Sequence, residues 1–271
     1  MTSAEIAEIL KNAGIEEASH EALLILEHFS GKSRAYLMAD RGFDLDSPEM
    51  EQAVARRAER YPLQYIFGRW EFCGFEFLVN EHCLIPRPDT EVIVEAAVRS
   101  AKKWSAILDL CTGSGCILAA TLKLSGNTRG TAVELYHETA DVARKNFAAL
   151  GLTDVTVIEG DATTDLFPAH VKFDVITANP PYVTADEMLS LEPELSSEPA
   201  HALTDGGDGM SILEKIIEIY RHHLSENGVM ILEHGFEQGD KVKNIAEENG
   251  MTYKKILDYG GNTRGAVLRN K

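Results

Sequence analysis

Ile107-Leu108-Asp109-Leu110-Cys111-Thr112-Gly113-Ser114-Gly115-Cys116 sets the fold. Its apolar start reads as a buried strand, its glycines as a tight turn, and the apolar residues after Cys116 as a helix. Glycine in that turn lets a ligand approach the backbone closely at the carboxyl edge of a sheet. Nineteen residues beyond Gly115, at the end of the next apolar run, stands Glu134. That spacing matches the acidic residue that takes hydrogen bonds from ribose hydroxyls in a nucleotide-binding strand–helix–strand unit. The third glycine of the dinucleotide fingerprint is missing, and no phosphate-binding pattern follows, so a dinucleotide is disfavoured.

From Ser105 onward the pattern alternates strand and helix, as a doubly wound α/β domain requires. Strands are expected near 106–110, 130–134, 154–158, 173–178, 228–233, 253–258 and 264–269, with helices over 137–150 and 210–224. Gly260-Gly261-Asn262-Thr263 reads as a hairpin turn and places an antiparallel strand in the sheet. A parallel sheet closed by such a hairpin resembles the seven-stranded, Rossmann-like methyltransferase fold. The strand near 154–158 ends in Gly160-Asp161-Ala162 and that near 173–178 in Asn179. Four consecutive parallel strands thus carry polar tips to one edge, where open α/β sheets bind ligands.

The last of these tips is Asn179-Pro180-Pro181-Tyr182. Two prolines at once stop the strand, and neither has an N–H, so the backbone leaving it is stiff with carbonyls free to accept. Asn179 adds a side-chain carbonyl, and Tyr182 a flat ring with a polar tip. Two acceptors and a ring suit a planar NH2 group, an amide or an exocyclic amine. The tetrad resembles the signature of S-adenosylmethionine-dependent methyltransferases acting on planar nitrogens.

Residues 1–70 read as a small all-α domain. Ile6, Ile9, Leu10 and Ala13 recur at helical spacing before Gly14, and Glu21-Ala22-Leu23-Leu24-Ile25-Leu26 reads as a core helix. Ser47-Pro48 reads as an N-cap with proline at the first helical position. Arg56, Arg57 and Arg60 are expected on a solvated helix face. Residues 71–90 are expected to be a hairpin and linker: an aromatic, glycine-broken run, then Pro86-Arg87-Pro88 leading into an N-capped helix at Thr90-Glu91. Residues 91–271 complete the large domain.

Composition narrows the classes. A net charge of −17 argues against a broad DNA-binding surface, which needs a basic stripe. No apolar run reaches the roughly 20 residues of a membrane span, and the N-terminus lacks the regions of a signal peptide. The four cysteines show no metal-ligand spacing, which suits reduced thiols in the cytoplasm.

Over almost its whole length the chain resembles the glutamine methyltransferases that modify peptide-chain release factors. The resemblance rests on Pro62-Leu63-Gln64-Tyr65-Ile66, Ile85-Pro86-Arg87-Pro88 with Thr90-Glu91, and Asp109-Leu110 with Thr112-Gly113-Ser114-Gly115. It extends through Asn179-Pro180-Pro181-Tyr182, Glu198-Pro199 with Ala202-Leu203, and Gly206-Gly207-Asp208-Gly209. It implies methyl transfer from S-adenosylmethionine to the side-chain amide of the glutamine in a Gly-Gly-Gln motif of class 1 release factors, with the helical domain docking the partner. It also implies cofactor contacts from Asp109, Cys111, Thr112, Gly113, Ser114, Gly115, Glu134, Asp161, Ala162 and Asn179, where Asp161 would accept from the adenine amine. Asn179, Pro180 and Tyr182 are the catalytic candidates; Pro181 and Arg87 join them in substrate binding.

Two departures stand out: Cys111 replaces the usual first glycine, and Glu134 is longer than the commoner Asp. Glu134 is expected at a surface edge of the sheet. Glutamine methylation of a ribosomal protein, adenine-N6 methylation of nucleic acid, and a non-catalytic S-adenosylmethionine-binding protein are the alternatives. No metal, direct DNA contact or membrane is expected; the oligomeric state stays open, with a monomer the expectation.

Overall fold

The computed structural model describes all residues, 1–271. The chain forms two compact units, residues 1–68 with 192–197, and residues 69–191 with 198–271. No helix is long and apolar enough to cross a membrane.

The first unit holds α1 (Ser3–Asn12), α2 (Ala18–Ser30), α3 (Arg34–Ala39), α4 (Pro48–Ala58) and α5 (Leu63–Phe67). Ile6, Leu10, Ile25, Leu26, Met50 and Val54 form its core. Ser47 caps α4 by accepting from the Met50 N–H, with Pro48 opening the helix, and Gly14 just beyond α1 has a positive φ of 77°. The expected solvated arginine face is corrected. Arg57 is only 5% exposed; its Nε lies 2.6 Å from Glu21 and its Nη1 2.9 Å from Glu194. Arg60 reaches Glu194 at 2.8 Å and donates to the Gly14 carbonyl. Burial works against the Arg57 charge, and the Glu21 and Glu194 carboxylates offset it, leaving its pKa raised. Arg56 alone follows expectation, lying exposed over the Tyr61 ring.

The second unit begins with the antiparallel hairpin β1 (Arg69–Phe72) and β2 (Phe75–Leu78). Phe72 and Phe77 are buried in this unit's core, and Leu78 exchanges backbone bonds with the Asn146 side chain. The hairpin is therefore part of the α/β unit rather than a connector. Next come α6 (Glu91–Ser100), β3 (Ile107–Leu110), α7 (Cys116–Ser125), β4 (Arg129–Glu134), α8 (His137–Ala149), β5 (Asp154–Glu159) and β6 (Phe173–Ala178). α9 (Ser211–Tyr220), β7 (Leu224–Glu233), α10 (Gly239–Glu248), β8 (Met251–Leu257) and β9 (Thr263–Asn270) complete the unit. α6 is not N-capped as expected: Thr90 has helical backbone angles and makes no capping bond, because a 3-10 turn over Pro88–Thr90 leads into the helix.

The seven-stranded sheet runs β5-β4-β3-β6-β7-β9-β8. β5, β4, β3, β6 and β7 are parallel, while β9 pairs antiparallel with both β7 and β8. From β3 the chain winds outward through β4 and β5, then returns to place β6 on β3's other side. The strand order therefore reverses between β3 and β6, and open sheets bind ligands beyond the carboxyl ends at such a point. Leu110 lies opposite Ala178, so Cys111 and Asn179 leave the sheet side by side.

Candidate active site

A cavity of about 310 Å³ opens at this reversal, entirely within the second unit. Cys111, Thr112, Gly113 and Ser114 enter it from β3, Glu134 from β4, Asp161 and Ala162 from β5, and Asn179 and Pro181 from β6; Arg87 also lines it. The sheet has thus brought together most residues singled out by sequence. Asp109, Gly115, Pro180 and Tyr182 are not on its lining.

Two of them, Gly115 and Asp109, act from behind. Gly115 begins α7 with φ +81°, and a Cβ there would meet the Phe147 ring at 2.8 Å. Asp109 is wholly buried and accepts from Thr112 Oγ1 at 2.5 Å and Thr177 Oγ1 at 2.6 Å. It locks the start of the glycine turn onto β6. Burial pushes its pKa up to about 6, against the two hydroxyl bonds that lower it. A carboxyl whose folded pKa is raised favours the folded state at low pH, and that advantage is lost as pH rises through the folded value. Between pH 8 and pH 5 the wild type should therefore gain on the order of 1 kcal/mol over Asp109→Asn, a few degrees in Tm. Thermal melts of both proteins across that range check this; a constant gap in Tm would mean Asp109 does not titrate there.

The turn explains why glycine is usual where Cys111 stands. Its φ is +56°, a left-handed backbone that a side chain makes costly and glycine adopts freely. The cysteine supplies no conformational advantage there. Cys111→Gly should leave Tm within about 2 °C, since relief of strain is offset by glycine's greater freedom in the unfolded chain, and should not weaken cofactor binding. Calorimetry showing tenfold weaker binding would instead give the thiol a direct contact.

Glu134 is not at an exposed edge; it is 7% exposed. One carboxylate oxygen accepts from the Gly113 N–H at 2.9 Å, the other from Leu135 and Tyr136 at 3.0 and 3.2 Å. Burial raises its pKa, and these three backbone donors oppose the rise. A carboxylate has about four acceptor sites, so capacity remains for a hydroxyl in the cavity. Asp161 has one oxygen engaged by Thr163, through backbone and hydroxyl at 2.8 and 2.7 Å, and the other makes no hydrogen bond.

The Asn179 side chain makes no hydrogen bond within the protein, and no N–H donates to the Pro180 carbonyl. The Tyr182 carbonyl, by contrast, is taken by Gln238 Nε2 at 2.9 Å, and its hydroxyl donates to Glu233 at 3.0 Å. Arg87 is paired with Glu198, whose other oxygen accepts from the Ile85 N–H at 3.0 Å.

Thr90 and Ser114 line the cavity with buried hydroxyls, Thr90 facing Glu233 and Ser114 facing Cys116; the sequence marks Ser114 as a cofactor contact and Thr90 only as a helix cap. Tyr136 and His201 also line it, their rings 3.7 Å apart between centroids. Tyr136 stands two residues past Glu134, a position that could have been flagged; nothing in the sequence marks His201 as its neighbour.

Comparison with known proteins places this geometry. A family model described as PrmC N-terminal domain matches residues 3–68, and one described as methyltransferase small domain matches residues 89–244. A release factor glutamine methyltransferase of Geobacter sulfurreducens is 36% identical, over 89% of this chain and 85% of that protein. Its namesake in Salmonella typhimurium is 34% identical over 90% and 89%, and that of Haemophilus influenzae 32% identical over 96% and 94%. Among solved structures, a methyltransferase from Pyrococcus furiosus shares the fold with a TM-score of 0.53 at 18% identity, covering 72% of this chain and 88% of its own. The ribosomal protein L11 methylase of Lactobacillus delbrueckii does so with a TM-score of 0.51 at 22% identity, covering 68% and 80%. Both halves of the sequence and its relatives along most of the chain agree: the chain belongs to the release factor glutamine methyltransferase family.

Proposed function

We propose that this protein transfers the methyl group of S-adenosylmethionine to the side-chain amide nitrogen of the glutamine in the Gly-Gly-Gln motif of class 1 release factors. The observation that carries the reading is the pair of unspent acceptors, Asn179 Oδ1 and the Pro180 carbonyl, beside the glycine turn at the sheet's reversal. An acceptor pair held free in a folded protein is suited to a ligand NH2.

S-adenosylmethionine is the cofactor of this methyltransferase, and it supplies an electrophilic methyl group on sulfur. The cavity residues fit it. Glu134 has acceptor capacity left for ribose hydroxyls, and Asp161 a free oxygen for an adenine amine. Ser114 and Thr90 offer two hydroxyls on the lining that suit the methionine end. Cys111, Thr112, Gly113 and Ala162 form the walls.

Amide nitrogen is a weak nucleophile because its lone pair is delocalised into the carbonyl. Asn179 and Pro180 would each take one N–H, orient the nitrogen in line with the methyl, and stabilise positive charge as it develops there. No strong base is required, since the proton leaves easily once nitrogen carries the new methyl. Tyr182 would pack against the flat amide, with Pro181 and Arg87 lining the approach. The helical unit would dock the release factor, and the enzyme would act in the cytoplasm as a monomer.

Incubation with labelled S-adenosylmethionine and a mixture of release factor, ribosomal protein and DNA tests the reading. Label on the release-factor glutamine supports it; label only on ribosomal protein or DNA overturns it.

A further inference from the structure

Tyr182 is gripped at both ends by one stretch of chain, Glu233 to Gln238. Its carbonyl accepts from Gln238 Nε2 at 2.9 Å, and Gln238 Oε1 in turn accepts from the Gly235 N–H at 2.9 Å. Gly209 closes over the same carbonyl: a Cβ there would stand 2.0 Å from the oxygen, and its φ is +73°. The next residue is pinned as well, since the Val183 N–H donates to Leu203 O at 2.9 Å. With the backbone fixed, the freedom left to Tyr182 is rotation of its side chain, and the Glu233 carboxylate ends that freedom by accepting from the hydroxyl at 3.0 Å.

Glu233 is an expensive way to make this bond. It ends β7, where Leu232 pairs with Ala178, so it lies beside the strand end that carries Asn179. It is 1% exposed, and burial raises its pKa against the opposing hydroxyls of Thr90 and Tyr182. The positive charge acting on it is that of Arg264, which also meets the Tyr182 hydroxyl, is committed to Asp89 at 2.6 Å and lies 3.6 Å from Asp258. A buried carboxylate whose partners do not fully offset its burial is often no more stabilising than a packed apolar residue of similar size. Fold stability therefore does not account for it. Tyr182 stays a donor, because burial and the Glu233 charge raise its pKa.

We infer that Glu233 is a positioning residue for methyl transfer: through the Tyr182 hydroxyl it holds the ring in the orientation that receives the acceptor amide. The inference rests on the proposed packing of Tyr182 against that amide. Pre-setting the ring removes an ordering cost from the reaction step.

The test is a double-mutant cycle in the full-length protein, measuring kcat on a release factor, S-adenosylmethionine affinity by calorimetry, and Tm. Tyr182→Phe and Glu233→Leu should each lower kcat about tenfold, the double variant should lose no more than either, and Glu233→Gln, which keeps an acceptor oxygen, should recover most of the loss. Cofactor affinity should hold, and Glu233→Leu should melt no lower than wild type. Tyr182→Leu separates the two claims. If it loses activity while Glu233→Leu keeps wild-type kcat, or if the single losses multiply to about a hundredfold, the Glu233 inference is overturned and the packing of Tyr182 stands. If Tyr182→Leu retains full activity, both fall.

Discussion

Asn179→Ala should lower kcat on a release factor by about 10²-fold or more while S-adenosylmethionine binds nearly as before. The Asn179 side chain spends no hydrogen bond inside the protein, so its removal breaks nothing in the fold, and melts should be close to wild type. What is lost is an acceptor used most strongly as charge builds on the amide nitrogen. Loss of one preorganised group of this kind costs about 3–4 kcal/mol in the transition state. KM for the release factor should move much less, since a glutamine on a surface loop has few contacts of its own and whole-protein binding draws on remote surfaces. Asn179→Asp keeps an acceptor oxygen and should retain at least ten times the activity of the alanine variant. Steady-state kinetics with both variants, beside calorimetric titration of the cofactor, decide the matter. Near wild-type turnover by Asn179→Ala would remove the orienting role.

The parts of this molecule that were legible in the sequence are those where local pattern and burial coincide. The strand ending at Ala178 is an apolar run stopped by two prolines, and the turn at Gly260–Thr263 announces its own hairpin; both lie where expected. The convergence of Cys111–Ser114, Glu134, Asp161 and Asn179 was readable because parallel strands in a doubly wound sheet must end on one edge. Partners distant in sequence were not readable. Arg57 lies on a helix whose pattern presents it as solvated, yet its carboxylates are 36 and 137 residues away. Tyr182 advertises a ring for a ligand, but its hydroxyl is committed to Glu233, 51 residues on. Cys111 is the reverse case: the anomaly is plain in the sequence, and only the backbone angle shows why glycine is the usual residue there.

Glu134→Ala tests the residue whose surroundings differ most from expectation. On an exposed edge, its loss would be felt by the ligand alone. Buried, with three backbone N–H groups directed onto its two oxygens, it braces the turn at Gly113 and the exit from β4 even in the free protein. Hydrogen bonds to a charged group contribute about 1.5–3 kcal/mol each, and three that share one carboxylate do not add in full. A total near 4 kcal/mol divides between the free fold and the cofactor complex. Tm of the free protein should fall by about 5 °C or more, and the dissociation constant for S-adenosylmethionine should rise about 100-fold, since each 1.4 kcal/mol is a factor of ten. Both effects are required. Weakened binding at an unchanged Tm would mean that the carboxylate serves only the ligand and the turn holds itself. A lowered Tm with unchanged affinity would make Glu134 a brace alone and leave the ribose to another acceptor.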